Sequence, residues 1–251
     1  MKILFATPTG RGVIQACAYQ SMMRTVVSMT QAGIAIDVMT VDLADVMRAR
    51  NVMASTFLTR KDCTHLAFVD SDMSFSPGLF QRMLAYDKPL IAVAAPKRTF
   101  NTKKINRTIG ELIKNENAID VRRAIGLSDS FNVALDVPVK DLEPDKGFVE
   151  VKALGTGLML IRREVFERML ETGEAKATTL KGYGCEVYGF FNCIMVEDSG
   201  DYISEDLSFC MRWRNCGGTV YALVDEKIGH EGSLVVEASF ADRIKRARTN
   251  S

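Results

Sequence analysis

The apolar positions of this chain change period in a regular way over its first hundred residues. Lys2 to Thr7 is a short continuous apolar run, Ile34 to Val41 and Leu66 to Asp70 are two more, and Pro89 to Ala95 is a fourth, closed by Pro96. Between them apolar residues recur every three to four positions over Val13 to Gln31 and Leu43 to Thr59, and Gly33 stands where the first of these must stop. Short apolar runs bounded by turn residues predict buried strands, and the longer period predicts helices. Ser76-Pro77 has the chemistry of an N-cap followed by a first-turn proline and predicts a helix through Ala85. The alternation predicts an α/β fold: a mixed, mostly parallel sheet with helices on both faces, whose ligand crevice lies at the carboxyl ends of its strands.

After Pro96 the regularity fades. A polar stretch carrying Lys97, Arg98, Lys103, Lys104 and Arg107 leads to a helix expected around Ile109 to Ile125. Long irregular segments in compact domains are usually functional, so residues 97–147 are expected to form an insertion or lid over the crevice of one domain spanning 1–251, mobile without ligands and ordered by them. Order returns with the strands Phe148 to Leu154 and Leu158 to Ile161, the helix Arg163 to Thr172, and a glycine-punctuated aromatic stretch around Gly182 to Phe191. Ser204-Glu205-Asp206 has cap chemistry and opens a helix through Arg214 that ends at Asn215-Cys-Gly217-Gly218. A strand, Thr219 to Val224, leads to Gly229-His230-Glu231-Gly232 and a basic C-terminal helix.

Composition changes this picture little. The chain has 251 residues, 47% hydrophobic and 25% charged, enough for one good core, and a formal net charge of +1 demands no polyanionic partner. No apolar run approaches membrane-spanning length, and the first one stops at Pro8, short of a signal sequence. Cys17, Cys63, Cys185, Cys193, Cys210 and Cys216 show no metal-type spacing, so they are expected to be reduced, in a cytoplasm. Met22, Met23, Met29, Met47 and Met53, the pair Phe190-Phe191 and Trp213 are expected to fill core.

Chemistry concentrates at Asp70-Ser71-Asp72. Alternate strand residues share a face, so two carboxylates at a strand end suit a hard divalent cation that also bridges phosphate oxygens; the plainer alternative is a turn in which an acid caps the next helix. Glu205 and Asp206 read either as an acidic first turn or as a general base with a partner. His230, between Gly229 and Gly232, reads as a loop histidine or a metal ligand, and Arg48 and Arg50 as a solvated helix face or a phosphate fork. Gly155 and Gly157 read as a strand entry or a close approach to ligand.

In order and spacing these pieces resemble the GT-A glycosyltransferases, especially the broad family-2-like group. The matching residues are Pro8, Arg48-Ala-Arg50-Asn51, Phe-Val-Asp70-Ser-Asp72, Gly155-Thr-Gly157 with Arg162-Arg-Glu-Val-Phe166, Ser204-Glu-Asp206-Leu-Ser-Phe-Cys210, and His230. The resemblance implies the Rossmann-like GT-A fold and a nucleotide-sugar donor, a UDP-sugar foremost, bound through Mn2+ or Mg2+. It implies Asp72 as the main metal ligand, Asp70 holding ribose or metal indirectly, and His230 completing the metal site. It further implies Pro8, Arg48, Arg50, Gly155 and Gly157 as donor-binding residues, Asp206 as base and Glu205 as the residue that positions the acceptor. The acceptor expected is a saccharide or, because Lys97 to Arg107 and Arg243 to Arg248 are basic clusters, a modified base in DNA, the plainer reading of both clusters being a solvated face. Two other classes stay open: a nucleotidyltransferase acting on a sugar phosphate, for which Thr7 to Gly12 would be the phosphate loop, and a non-catalytic nucleotide-binding domain.

Overall fold

The computed structural model describes residues 1–97, 101–115, 121–128, 131–197, 200–232 and 236–249. Arg98 of the basic stretch lies outside them. In chain order the elements are β1 (Lys2–Thr9), α1 (Ala16–Gln31), β2 (Ala35–Asp42), α2 (Val46–Thr59), β3 (His65–Val69), β4 (Met73–Ser74), α3 (Leu79–Tyr86) and β5 (Leu90–Val93). There follow α4 (Thr102–Asn115), α5 (Val121–Ser128), β6 (Val133–Ala134), β7 (Phe148–Val151), β8 (Ala153–Leu154), β9 (Leu158–Arg162) and α6 (Arg163–Glu171). The chain closes with β10 (Ile194–Met195), β11 (Tyr202–Ile203), α7 (Glu205–Asn215), β12 (Val220–Leu223), β13 (Ile228–His230), β14 (Val236–Ala238) and α8 (Phe240–Thr249).

The central sheet runs β2-β1-β3-β9-β5-β12-β7. Its β1, β2, β3, β5 and β12 share one direction, while β9 and β7 run against them. The mixed, mostly parallel α/β class is therefore present, with helices on both faces. Alternate residues of the buried strands feed two cores, as continuous apolar runs covered on both sides should. Leu4, Ala6, Leu66 and Phe68 pack with Met53 and Phe57 of α2, Phe166 of α6 and Phe209 of α7. Ile3, Phe5, Ala67 and Val69 pack with Met22 and Met29 of α1 and with Phe80 and Met83 of α3. Phe190, Phe191 and Trp213 join the first core, as expected, whereas Met23 is exposed on the outer side of α1.

Antiparallel β9 sets the site. Its amino end meets the carboxyl end of β3, Val69 pairing with Leu158, so Gly155 to Gly157 lie at the ligand edge although they open a strand. Several boundaries differ from expectation: α1 and α2 start three residues later than Val13 and Leu43, and the strand expected over Phe148 to Leu154 is two, β7 in the central sheet and β8 paired with β6. Pro77 and Gly78 belong to the turn that Leu79 closes by donating to the Ser76 carbonyl, so α3 begins three residues past the serine. The single helix expected around Ile109 to Ile125 is two, and α4 starts early because the Asn101 side chain accepts the Lys104 amide at 3.0 Å. Among the described residues no helix is long and apolar enough to cross a membrane. The six cysteines are free thiols, Cys63 and Cys210 buried.

Candidate active site

β3 ends at Val69, and residues 70–72 turn into β4, which pairs with β13 so that Met73 faces His230. Asp70 and Asp72 consequently leave the strand toward different partners, unlike the shared face expected of them.

Asp70 is held from two sides. Its amide donates to the Gly157 carbonyl at 2.8 Å, and its carboxylate accepts from one Arg50 nitrogen at 3.1 and 3.3 Å. A Cβ at position 157 would lie 3.2 Å from Asp70 Oδ2, so glycine there gives the carboxylate its room. The other terminal nitrogen of Arg50 donates to Glu205 Oε1 at 2.5 Å. Arg50 is only 4% exposed and its Nε has no partner, so the fork is dedicated to these two acids. Burial alone would lower the pKa of this guanidinium; Asp70, Glu205 and Asp206 outweigh it and hold the pKa above its ordinary value. Arg48, two residues earlier and so on the opposite side of the helix, points elsewhere: its side chain is 56% exposed beside Asp45, the acid whose carboxylate caps α2.

Asp72 faces His230, with Oδ1 3.4 Å from Nε2. The opposite ring nitrogen, Nδ1, lies 2.7 Å from the Pro96 carbonyl oxygen, which only accepts, so Nδ1 carries the proton. That bond orients the ring and presents Nε2 to the carboxylate, the arrangement of a ligating histidine steadied by a backbone acceptor. Two donors on one octahedral cation, with bonds of about 2.1 Å at right angles, lie about 3 Å apart, close to the separation found. Among the described residues no set of three or more His, Cys, Asp or Glu side chains is gathered to hold a metal ion. The pair fits an ion that draws the rest of its shell from phosphate oxygens and water, which is the habit of Mg2+ and ions like it. Next to it, Cys17 donates to Glu231 at 2.6 Å; burial and that bond push the thiol pKa up to about 11, so it is no thiolate ligand at neutral pH.

Asp206 is 7% exposed at the first turn of α7. Ser204, expected as the helix cap, instead bonds Asp206 Oδ1 through its hydroxyl; the Leu207 amide donates to the same oxygen at 2.8 Å, and Asn132 Nδ2 donates to Oδ2 at 2.6 Å. Pro8 lies buried near the carboxyl end of β1, opposite Val41. In the following loop the amides of Arg11 and Gly12 both donate to Asp42 Oδ1 at 2.9 Å, so a protein carboxylate already occupies these two N–H groups of the candidate phosphate loop.

No protein-family model matches the sequence, and no curated protein matches it. Among solved structures the chain is similar to A197 from STIV, with 17% identity and a TM-score of 0.48 over 92% of this chain and 86% of that one. It is also similar to S. aureus TarS 1-349, with 11% identity and a TM-score of 0.40 over 99% of this chain and 63% of that one. The complex of the same TarS fragment with UDP-GlcNAc gives 11% identity and a TM-score of 0.38, over 89% of this chain and 56% of that one. The chain thus spans less than two thirds of each TarS chain.

The structure brings Arg50, Asp70, Glu205 and Gly157 into one contact network, with Asp206 near enough to act on the Arg50 charge, and places Asp72 and His230 together, while Arg48 stays outside. Sequence reasoning missed Asn132, Asp42 and the Pro96 carbonyl. Asn51, part of the matching Arg48-Ala-Arg50-Asn51 segment but given no role by it, donates to Asn192 at 2.8 Å and accepts the Phe191 amide at 2.7 Å, holding the 188–192 loop over α2. Its place beside Arg50 is the signal for that role; a backbone carbonyl leaves none.

Proposed function

We propose that this protein is a metal-dependent glycosyltransferase that moves a sugar from a nucleotide-diphospho-sugar, a UDP-sugar foremost, to an acceptor hydroxyl. The observation that carries this reading is the Asp72–His230 pair, its imidazole oriented by the Pro96 carbonyl, beside the Arg50-bridged acids Asp70 and Glu205. Asp72 and His230 would hold Mn2+ or Mg2+, which when bound neutralises charge on the leaving diphosphate. Arg50 balances Asp70 and Glu205, so a dianionic substrate does not meet two bare carboxylates. Asp206 takes the proton of the acceptor hydroxyl and Glu205 aligns the acceptor. Gly157 keeps the β9 entry free of a side chain beside Asp70, and Gly155 leaves room for the side chain of Asn132. Occupied amides in the 10–12 loop disfavour a nucleotidyltransferase.

A saccharide acceptor is supported over DNA by the fate of the basic C-terminal cluster. Arg246 donates to Thr108 and to the Leu127 carbonyl and pairs with Glu111, and Arg248 donates to the Lys140 and Leu142 carbonyls. These guanidinium groups pin chain segments together.

Calorimetry with UDP, with and without Mn2+, on the wild type, Asp72→Ala and His230→Ala tests the site. Release of UDP or GDP from UDP-glucose, UDP-GlcNAc and GDP-mannose tests the reaction. Binding of UDP is expected to need Mn2+ and to weaken at least tenfold in each variant. Equal affinity in all titrations would remove the proposal.

A further inference from the structure

Asp206 has more partners than a base needs, and their arrangement is informative. A carboxylate offers about four lone-pair positions. Oδ1 accepts from the Ser204 hydroxyl and the Leu207 amide, and Oδ2 accepts from Asn132 Nδ2 at 2.6 Å, leaving one position, on Oδ2. Asn132 is fixed on both sides: its amide donates to the Ala95 carbonyl at 3.2 Å, and its carbonyl accepts the Gly155 amide at 2.9 Å. A Cβ on residue 155 would lie 2.4 Å from Asn132 Nδ2, a distance real atoms do not adopt. Gly155 therefore makes room for the side chain of Asn132.

We infer that Asn132 is a positioning residue for the transfer reaction: held between the end of β5 and the entry to β9, it fixes which lone pair of Asp206 receives the acceptor proton. The inference rests on the proposed glycosyltransferase activity, within which it assigns a role to a residue of the 97–147 segment. That segment thus contributes a side chain to the catalytic constellation directly. A general base aimed by a half-buried donor that is itself held at its backbone keeps its geometry through the reaction, and a displacement of about 1 Å can cost on the order of a hundredfold in rate.

The test uses Asn132→Ala, Asn132→Asp, Gly155→Ala and the Gly155→Ala/Asn132→Ala double variant, each assayed for Mn2+-dependent turnover of whichever of UDP-glucose, UDP-GlcNAc and GDP-mannose the wild type consumes, and for its urea midpoint. Asn132→Asp keeps the shape of the side chain but sets a carboxylate against Asp206, so it should lose kcat most, at least a hundredfold, with about tenfold for Asn132→Ala. The donor KM should stay within about twofold in both. Gly155→Ala should lose stability and turnover by pushing the Asn132 amide aside. The double variant, with space restored, should recover stability without recovering turnover. A purely space-filling Asn132 predicts the reverse ranking, Asn132→Asp near wild type and Asn132→Ala worst, and that result would overturn the inference. A wild type that consumes none of the three donors would overturn the functional reading, and this inference with it.

Discussion

Replacing Arg50 by methionine keeps most of the apolar stem and deletes the charge, which isolates what the guanidinium does at the junction of α2, β3 and α7. Its nitrogens lie 2.5 Å from Glu205 and 3.1 Å from Asp70. Deleting one partner of a fully buried ion pair costs about 3–5 kcal/mol, because the other charge is left without compensation. The acids here retain some solvent contact, their side chains being 27% exposed at Asp70 and 18% at Glu205, so each rehydrates in part. That discount brings the expected loss to about 2–4 kcal/mol. Arg50→Lys restores charge but not the fork and should lose about half as much. Urea unfolding at pH 7 measures both, and an unchanged denaturant slope would show that the native state stayed compact. Adding Asp70→Asn and Glu205→Gln to Arg50→Met should return much of the lost stability, since the charges it stranded are then gone. A loss below about 1 kcal/mol for Arg50→Met would refute the view that these acids depend on this one cation.

Two further outcomes are expected. Burial, and then the charge of Arg162, hold the His65 pKa down from 6.5 to about 4; the unfolded chain takes up a proton in that window and the folded one does not, so stability falls as pH drops from 6.5 toward 4. His65→Gln should flatten that slope, and urea midpoints that fall equally steeply in both proteins would contradict the assignment. Arg246→Ala removes the bonds to Thr108, Leu127 and Glu111, so amide exchange over residues 102–128 should quicken while that of β1 and β3 stays unchanged; unaltered protection there would show that α8 does not secure the segment.

Much of the fold is legible because periodicity is a local property. The strands β1, β2, β3 and β5 and the helices α1 and α2 each declare themselves within their own residues, and Gly33 marks an end where a left-handed turn requires it; β4 has no such local signature, and α2 starts after its Asp45 cap rather than at Leu43. Direction is not local: Leu158 to Ile161 is an apolar run of unstated sense, and nothing in it tells that β9 enters the sheet against β3 and β5. The same limit applies at the site. Asp70 and Asp72 are conspicuous, but their shared face depended on the strand continuing, and it ends at Val69 because residues 73 and 74 pair with β13, more than 150 residues later. Arg50 reads like Arg48 on a helix; burial separates them, Arg50 being enclosed beside Asp70 and Glu205, which lie 20 and 155 residues away in the sequence.

What unites the two ends of the site is the short stretch where β5 runs out. The Pro96 carbonyl accepts from His230, and one residue earlier the Ala95 carbonyl accepts from Asn132, whose side chain holds Asp206. The groups proposed for the metal and for the base are thus registered to two consecutive peptide units, and the fixed φ of proline keeps those units in place. Pro96→Gly leaves every carbonyl in the sequence but frees this backbone. Substitutions in the outer partners of a ligating histidine weaken metal affinity by about 10–100-fold, and loosening the partner without deleting it should cost less, on the order of a few-fold in Mn2+-dependent UDP affinity. Stability should fall by about 0.4–1 kcal/mol from the freer unfolded chain. UDP affinity equal to wild type despite that stability loss would show that the Pro96 carbonyl does not set the imidazole, and Asp72 with the β13 backbone would then have to orient His230 by themselves.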